Sequence, residues 1–295
     1  MGRTLAQSPA GERERAATQK RKERLAAFKA LMRRLSPAIY RRFARVSRAA
    51  AGWWYRNDLN QLAIIFGTDK WAAHWYTQHY QRYFWPLRSR KLNVLEIGVG
   101  GYEDSSAGGE SLRMWKAFFR KSRILGIDAQ DKTRSREHRI DIRQCDQTDS
   151  EALMRLCDEY GGFDIIIDDG SHINEHVIKS FQVLFPRLRP NGFYAVEDTQ
   201  TSYWATWGGG IASPRSSMEF FKSLVDGLNH EEYPIENYKP SYFDLKIVEV
   251  IFLHGLVLIR KGENDEKSND PGSIQREIEA AHSRPESRQK PQILG

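Results

Sequence analysis

Residues 163–198 read FDIIIDDGSHINEHVIKSFQVLFPRLRPNGFYAVED. The order is strand, acidic turn, helix, strand, acidic turn. Residues 163–167 are a short apolar run ending in Asp168 and Asp169, and residues 193–196 are another, ending in Glu197 and Asp198. The segment 175–188 between them has helical character, so the stretch is a βαβ unit with parallel strands. Parallel neighbours place their C-terminal ends on one edge of the sheet, where open α/β sheets bind ligands. Asp169, Glu197 and Asp198 are therefore expected to converge, with His172 close by. Three carboxylates and an imidazole at one crevice mouth point to a divalent-metal site with a general base, and hard oxygen donors of this kind suit magnesium. Asp169 alone has a plainer use as a helix N-cap, but Glu197 and Asp198 precede no evident helix. His172 is read as the base because imidazole titrates near working pH; metal ligation and an ordinary loop role are the alternatives. His176, one helical turn further on, is read as helix surface.

Working outward, residues 91–96 (KLNVLE) form the first central strand and run into Glu96-x-Gly98-x-Gly100. Glycines there let backbone N–H groups approach a ligand at a helix N-terminus. The nicotinamide fingerprint needs a third glycine, and Glu103 stands in its place. An acid opening the turn suits a cationic ligand, and S-adenosylmethionine carries both a sulfonium and an ammonium. Asp128, after a second strand at 123–127, is placed to accept from ribose hydroxyls. Asp146 and Gln147, after a third strand at 139–143, can reach an adenine edge. Loop acids also occur in ordinary turns, but three strand ends matching in order favour a nucleoside. Helices are expected from Ser111, over 149–159 and over 215–228. The apolar runs 242–252 and 254–260 suit an antiparallel hairpin. The aromatic, glycine-rich loop 202–213 with Tyr203, Trp204 and Trp207 reads either as a lid over a sugar ring or as a loop anchored by its own rings. The fold class is α/β: a doubly wound, Rossmann-like sheet, mostly parallel, with an antiparallel C-terminal hairpin.

The chain of 295 residues carries a formal net charge of +7, but unevenly. Residues 1–50 hold 14 Lys and Arg against 3 acids, a net of +11, which leaves 31 against 35, a net of −4, for the rest. A slightly acidic globular part argues against a nucleic-acid-binding core. Residues 1–24 are polar and expected to be disordered. From Leu25 to Leu35 apolar residues recur at helical spacing, Pro37 interrupts, and Ile39, Phe43 and Val46 continue the pattern among arginines. Residues 25–48 are thus a basic amphipathic pair, suited to peripheral contact with an anionic membrane or to docking on the chain's own domain or a partner subunit. No apolar run reaches the roughly 18 residues of a membrane span, and no signal-peptide core is evident. Two cysteines, Cys145 and Cys157, point to a reducing compartment, so a cytoplasmic location is expected. The organisation reads as a basic segment over 1–50, an aromatic-rich helical cap over 51–90, a nucleoside-binding domain over 91–262 and a disordered tail over 263–295.

Several separated motifs carry a resemblance. Gly67-Thr68-Asp69-Lys70, Leu95-Glu96-Ile97-Gly98-Val99-Gly100-Gly101-Tyr102, Cys145-Asp146-Gln147-Thr148-Asp149, Ile167-Asp168-Asp169-Gly170-Ser171-His172 and Val196-Glu197-Asp198 resemble the macrolide-sugar O-methyltransferases that act on macrocin- and mycinamicin-type deoxysugars. The resemblance covers roughly residues 55–260. It implies a class I S-adenosylmethionine-dependent methyltransferase that needs magnesium and takes a small-molecule glycoside, with Asp169, Glu197 and Asp198 as metal ligands, His172 as base and Asp128 on the cofactor ribose. The carboxylate spacing also resembles catechol-type O-methyltransferases, and in that comparison Ser111 would meet the cofactor carboxylate. A phenol acceptor is therefore the alternative within enzymes, and a non-catalytic nucleoside-binding membrane adaptor the alternative outside them. The chain departs from the family at its N-terminus, where a basic segment replaces a folded auxiliary region. A homo-oligomer is expected.

Overall fold

The computed structural model describes residues 36–105 and 107–283. The helix expected over 25–35 lies outside these residues. Among the described residues three helices come first: α1 (Pro37–Trp54), α2 (Leu59–Phe66) and α3 (Thr77–Phe84). Strand β1 (Asn93–Ile97) and helix α4 (Glu110–Phe118) follow, then β2 (Arg123–Asp128), β3 (Ile140–Gln144), α5 (Ser150–Tyr160), β4 (Phe163–Asp168) and α6 (Asn174–Leu184). The chain continues with β5 (Leu188–Glu197), α7 (Ser217–Leu228), a short α8 (Tyr242–Lys246), the hairpin β6 (Ile247–Leu253) and β7 (Leu256–Lys261), and α9 (Pro271–Ser283).

The seven strands order as β3-β2-β1-β4-β5-β7-β6. The first five are parallel, and β7 pairs antiparallel with both β5 and β6. This is the mostly parallel, Rossmann-like sheet with the antiparallel ending that the sequence pattern implies. The chain leaves β1 toward β2 on one side and returns to β4 on the other, so β1 and β4 flank the switch point where such sheets open a ligand crevice.

Alternation along each strand divides the core into two layers. Ile166 of β4 packs with Leu156, Phe181 and Phe221 from α5, α6 and α7. Ile165 and Ile167 point the other way, toward Leu62, Tyr80, Phe84 and Trp115 from α2, α3 and α4. The stretch at 51–90 thus supplies part of the second layer, and each large ring buried there contributes roughly 2 kcal/mol over leaving it in water.

Local chemistry explains where the boundaries differ from expectation. The helix expected to reach residue 188 ends at Leu184, because Pro186 cannot continue it and a 3-10 turn over Phe185–Arg187 takes its place. Strand β5 therefore begins at Leu188, earlier than the run at 193–196 suggests. The apolar run from residue 242 begins as helix α8, because Ser241 and Asp244 form a reciprocal capping box. Pro37 opens α1, as proline does at a first helical position, which agrees with a break in the amphipathic pattern at that residue. Helix α1 crosses the boundary read at residue 50, and α9 occupies part of the tail read as disordered.

Candidate metal and cofactor site

A crevice of about 670 Å³ opens along the C-terminal ends of β1, β2, β3 and β4. Its β1 side is made of backbone. Gly98 and Gly100 hold φ of +90° and +79°, in the left-handed region that favours glycine. A Cβ on Gly98 would lie 2.0 Å from the carbonyl oxygen of Asp169, whereas at Gly100 it would meet nothing within 4 Å. The β1 and β4 turns therefore touch at Gly98, and the Gly100 turn stays open. Hydrogen bonds pull the neighbouring strand ends into register: Gly98 N donates to Ile127 O at 2.8 Å and Asp169 N to Ile97 O at 3.0 Å.

Asp128 lines this crevice and accepts from Val99 N and Gln130 N, both at 2.9 Å. Asp146 also lines it; Thr148, through its backbone N–H and its hydroxyl, holds this carboxyl below the ordinary range. Gln147 accepts from Ser171 N at 2.7 Å and so ties the end of β3 to the turn that carries His172. Ser111 lines the crevice as well, but its hydroxyl donates inward to Glu96 at 3.0 Å. Glu96 does not line the crevice. It is fully buried, and it also accepts from the Trp115 indole at 3.1 Å. Burial pushes its carboxyl up to about 7 despite the pull of Lys70 and Ser111.

The other side of the crevice is built from side chains. Asp169 follows β4, and Glu197 closes β5, with Asp198 next. Asp169, His172 and Asp198 present ligand atoms that all lie within 4.8 Å of one another. His172 Nε2 is 3.6 Å from Asp198 Oδ2 and 3.9 Å from Asp169 Oδ1. His172 and Asp198 both sit in the left-handed region, with φ of 56° and 52°. Such a conformation is uncommon for side chains of this size and gathers at functional sites. The Thr201 hydroxyl, 3.0 Å from the carbonyls of both residues, secures the two together. Burial pushes Asp198 up, but the Tyr76 hydrogen bond and His172 outweigh it and hold the carboxyl below the usual range.

Glu197 is set apart from this trio. It is buried below the crevice floor, where Oε2 accepts from Lys70 Nζ at 2.7 Å and Oε1 from the Tyr80 hydroxyl at 2.7 Å. Lys70 Nζ also donates to Asp169 Oδ2 at 2.6 Å and lies 3.2 Å from Glu96. Burial alone would neutralise Lys70, yet Asp169, Glu197 and Glu96 more than offset it and raise its affinity for the proton. The Tyr76 hydroxyl donates to Asp198 Oδ1 at 2.7 Å and accepts from Asp198 N at 3.3 Å. The hairpin turn between β6 and β7 closes on the same tyrosine: a Cβ on Gly255 would meet its hydroxyl at 2.6 Å.

Lys70, Tyr76 and Tyr80 are thus functional neighbours that the aromatic stretch does not advertise. Lys70 belongs to the Gly67-Thr68-Asp69-Lys70 motif, and its polar end among rings is the one local signal. His74 adds a second imidazole, 3.6 Å from Asp198, whereas His79 has no contact with the acids of the site. The aromatic loop is tied down by Asn174, whose amide donates to the carbonyls of Thr201 and Trp207 at 3.3 and 2.8 Å. Its Tyr203 and Trp204 rings remain exposed, and Trp207 sits 6.3 Å from the His172 ring.

No protein-family model matches this chain. Demethylmacrocin O-methyltransferase of Streptomyces fradiae is 46% identical over 228 residues, which is 76% of this chain and 58% of that protein. Mycinamicin VI 2''-O-methyltransferase of Micromonospora griseorubida is 45% identical over 229 residues, 76% of this chain and 57% of that one. The chain therefore spans a little over half the length of these relatives. Among solved structures, MycE methyltransferase from the mycinamycin biosynthetic pathway, in complex with Mg, SAH and mycinamycin VI, superposes with a TM-score of 0.68 at 44% identity, covering 75% of this chain and 59% of that one. No helix of the described residues is long and apolar enough to cross a membrane. By these identities and this superposition, the chain is a relative of the macrolide-sugar O-methyltransferases over the region they share.

Proposed function

We propose that this protein moves a methyl group from S-adenosylmethionine to a sugar hydroxyl of a glycosylated polyketide, with magnesium. The observation that carries the reading is the convergence of Asp169, His172 and Asp198 within 4.8 Å on the rim of a glycine-turned crevice. The relatives' names supply the acceptor class. Glu96, Asp169 and Glu197 share one buried ammonium, that of Lys70, and Asp198 stands nearby, held by Tyr76; this cluster of acids fits a divalent cation.

When bound, the cofactor supplies an electrophilic methyl group and magnesium lowers the pKa of the acceptor hydroxyl. Asp169 and Asp198 would hold the metal at the crevice, with Glu197 as a third carboxylate from below. Each Glu197 oxygen already accepts one hydrogen bond and burial raises its affinity for a proton, so a metal would share the lone pairs that Lys70 and Tyr80 leave. His172 takes the hydroxyl proton at Nε2, and Asp198 steadies the resulting imidazolium. Gly98 and Gly100 allow close approach of the cofactor, Asp128 receives its ribose, Ser111 its carboxylate by the backbone N–H in the first turn of α4, and Asp146 with Gln147 its adenine edge. Glu96 acts from beneath, by orienting Ser111. Holding both reactants in one crevice supplies the proximity contribution to rate. Helix α1 exposes Phe43, Val46, Trp53 and Trp54. This supports a contact role for the basic N-terminal region, with an anionic surface or with another subunit of a homo-oligomer.

The test is transfer of labelled methyl from S-adenosylmethionine to a panel of deoxysugar and rhamnose glycosides. Transfer is expected to vanish with chelator and return with Mg2+, and His172→Ala is expected to lower kcat by roughly 100-fold or more. Turnover indifferent to chelator overturns the metal role. A loss under about tenfold overturns the base role.

A further inference from the structure

Three residues from the segment before the sheet donate short hydrogen bonds to the acids, and His74 lies 3.6 Å from Asp198 beside them. Lys70 takes Asp169 by Oδ2 at 2.6 Å and Glu197 by Oε2 at 2.7 Å. Tyr80 takes the remaining Glu197 oxygen at 2.7 Å, and Tyr76 takes Asp198 by Oδ1 at 2.7 Å. The oxygens left over on the two aspartates, Asp169 Oδ1 and Asp198 Oδ2, are the ones that face His172 Nε2. A carboxylate on a free rotor offers either oxygen in many directions, whereas one held at one oxygen presents the other in a single direction. Outer hydrogen bonds of this kind orient metal ligands and are worth roughly 10–100-fold in metal affinity.

We infer that Lys70, Tyr76 and Tyr80 are positioning residues for the metal, which pin one oxygen each of Asp169 and Asp198 and both oxygens of Glu197, and so aim the outer oxygens of the two aspartates into the crevice. This rests on the metal reading above. The helical segment before the sheet is then a working part of the site as well as its packing layer. All three side chains are buried, so these hydrogen bonds face little competition from water. The tyrosine rings have a packing role that the hydroxyls do not share. Tyr80 stacks on Phe84 at 5.0 Å and meets Trp115 edge-on at 5.3 Å, contacts that a phenylalanine would keep. Lys70 has no such isostere, since removing its charge leaves Glu96 and Glu197 buried and unpaired.

The experiment therefore uses Tyr76→Phe and Tyr80→Phe in the full chain, with Lys70→Met as the more severe variant. Mn2+ binding is followed by the electron paramagnetic resonance of the free ion, S-adenosylhomocysteine binding by calorimetry, and methyl transfer as a function of Mg2+ concentration. Each tyrosine variant is expected to weaken Mn2+ binding by about tenfold or more, to leave S-adenosylhomocysteine affinity unchanged, and to recover wild-type kcat once Mg2+ is saturating. A merely structural role would lower both affinities together and would not be rescued by metal; that result, or unchanged Mn2+ affinity in both variants, overturns the inference. Wild-type protein that binds no Mn2+ overturns the metal reading and this inference with it. Wild-type binding with unaffected variants overturns this inference alone.

Discussion

At the end of β1 the crevice wall is main chain: Gly98, its φ of +90°, and N–H groups shared with Ile127 and Asp128. At the ends of β4 and β5 it is side chain: Asp169, Asp198 and His172, anchored by Lys70 and Tyr76 from distant sequence. The cofactor half is rigid because of where the backbone goes, and it needs small residues. The metal half is rigid because polar atoms are paired, and it needs particular functional groups. The two halves press together at Gly98 against the Asp169 carbonyl, beside the hydrogen bonds from Asp169 N to Ile97 O and from Ser171 N to Gln147.

Substitution at that contact should break both halves at once. In Gly98→Ala the new methyl overlaps the Asp169 carbonyl and the backbone must leave the left-handed region. Urea unfolding is expected to show a loss of about 3 kcal/mol, with S-adenosylhomocysteine and Mn2+ binding both abolished. A variant that lost only one of the two would show that the halves are independent. The tyrosine variants described above come next in size and touch the metal half alone. Gly100→Ala sharpens the comparison from the other side. It meets no neighbour, so only the left-handed backbone resists it, at about 1 kcal/mol. Its S-adenosylhomocysteine affinity should fall modestly while Mn2+ affinity stays as in the wild type.

The smallest effect comes from the two thiols. Burial pushes both Cys145 and Cys157 up to about 11, so at pH 8 each is overwhelmingly the unreactive thiol, and alkylation by iodoacetamide should be slow. The rate is expected to rise about tenfold per pH unit as thiolate forms below that value. Cys145 lines the crevice and Cys157 lies in the core behind α5. S-adenosylhomocysteine should therefore protect Cys145 and leave Cys157 unaffected, while Mn2+ protects neither. Mass spectrometry of the modified peptides distinguishes the two.

The same contrast explains what could be read from sequence. Gly98, Gly100, Asp128, Asp146, Asp169 and Asp198 all follow the ends of apolar runs, and strand ends on one sheet edge are linked by topology. Their convergence was therefore legible before any coordinates. Lys70, Tyr76 and Tyr80 were not, because their partners lie 99, 122 and 117 residues away and a side-chain hydrogen bond has no period in sequence. The inward turn of Glu96 was hidden for a similar reason. As the penultimate residue of β1, it has an orientation set by the strand's pleat, and its partners come from α4 and from Lys70. Boundary errors were local, at Pro186 and Ser241, where proline geometry and a capping box prevailed over hydrophobic pattern.

The hairpin turn at Gly255, pressed against the Tyr76 hydroxyl, bears on how the protein is made. The ribosome delivers Tyr76 early, Asp198 much later and β7 later still. Until β7 emerges, β5 is an open sheet edge with unpaired N–H and C=O groups. The contacts that finish the acidic pocket are thus among the longest-range in the chain, the kind that make folding slow. A nascent chain halted before Leu256 would carry every acid of the site and still lack the strand that braces it. Competence for metal would arrive with the last strands of the sheet, after almost all of the fold has been synthesised.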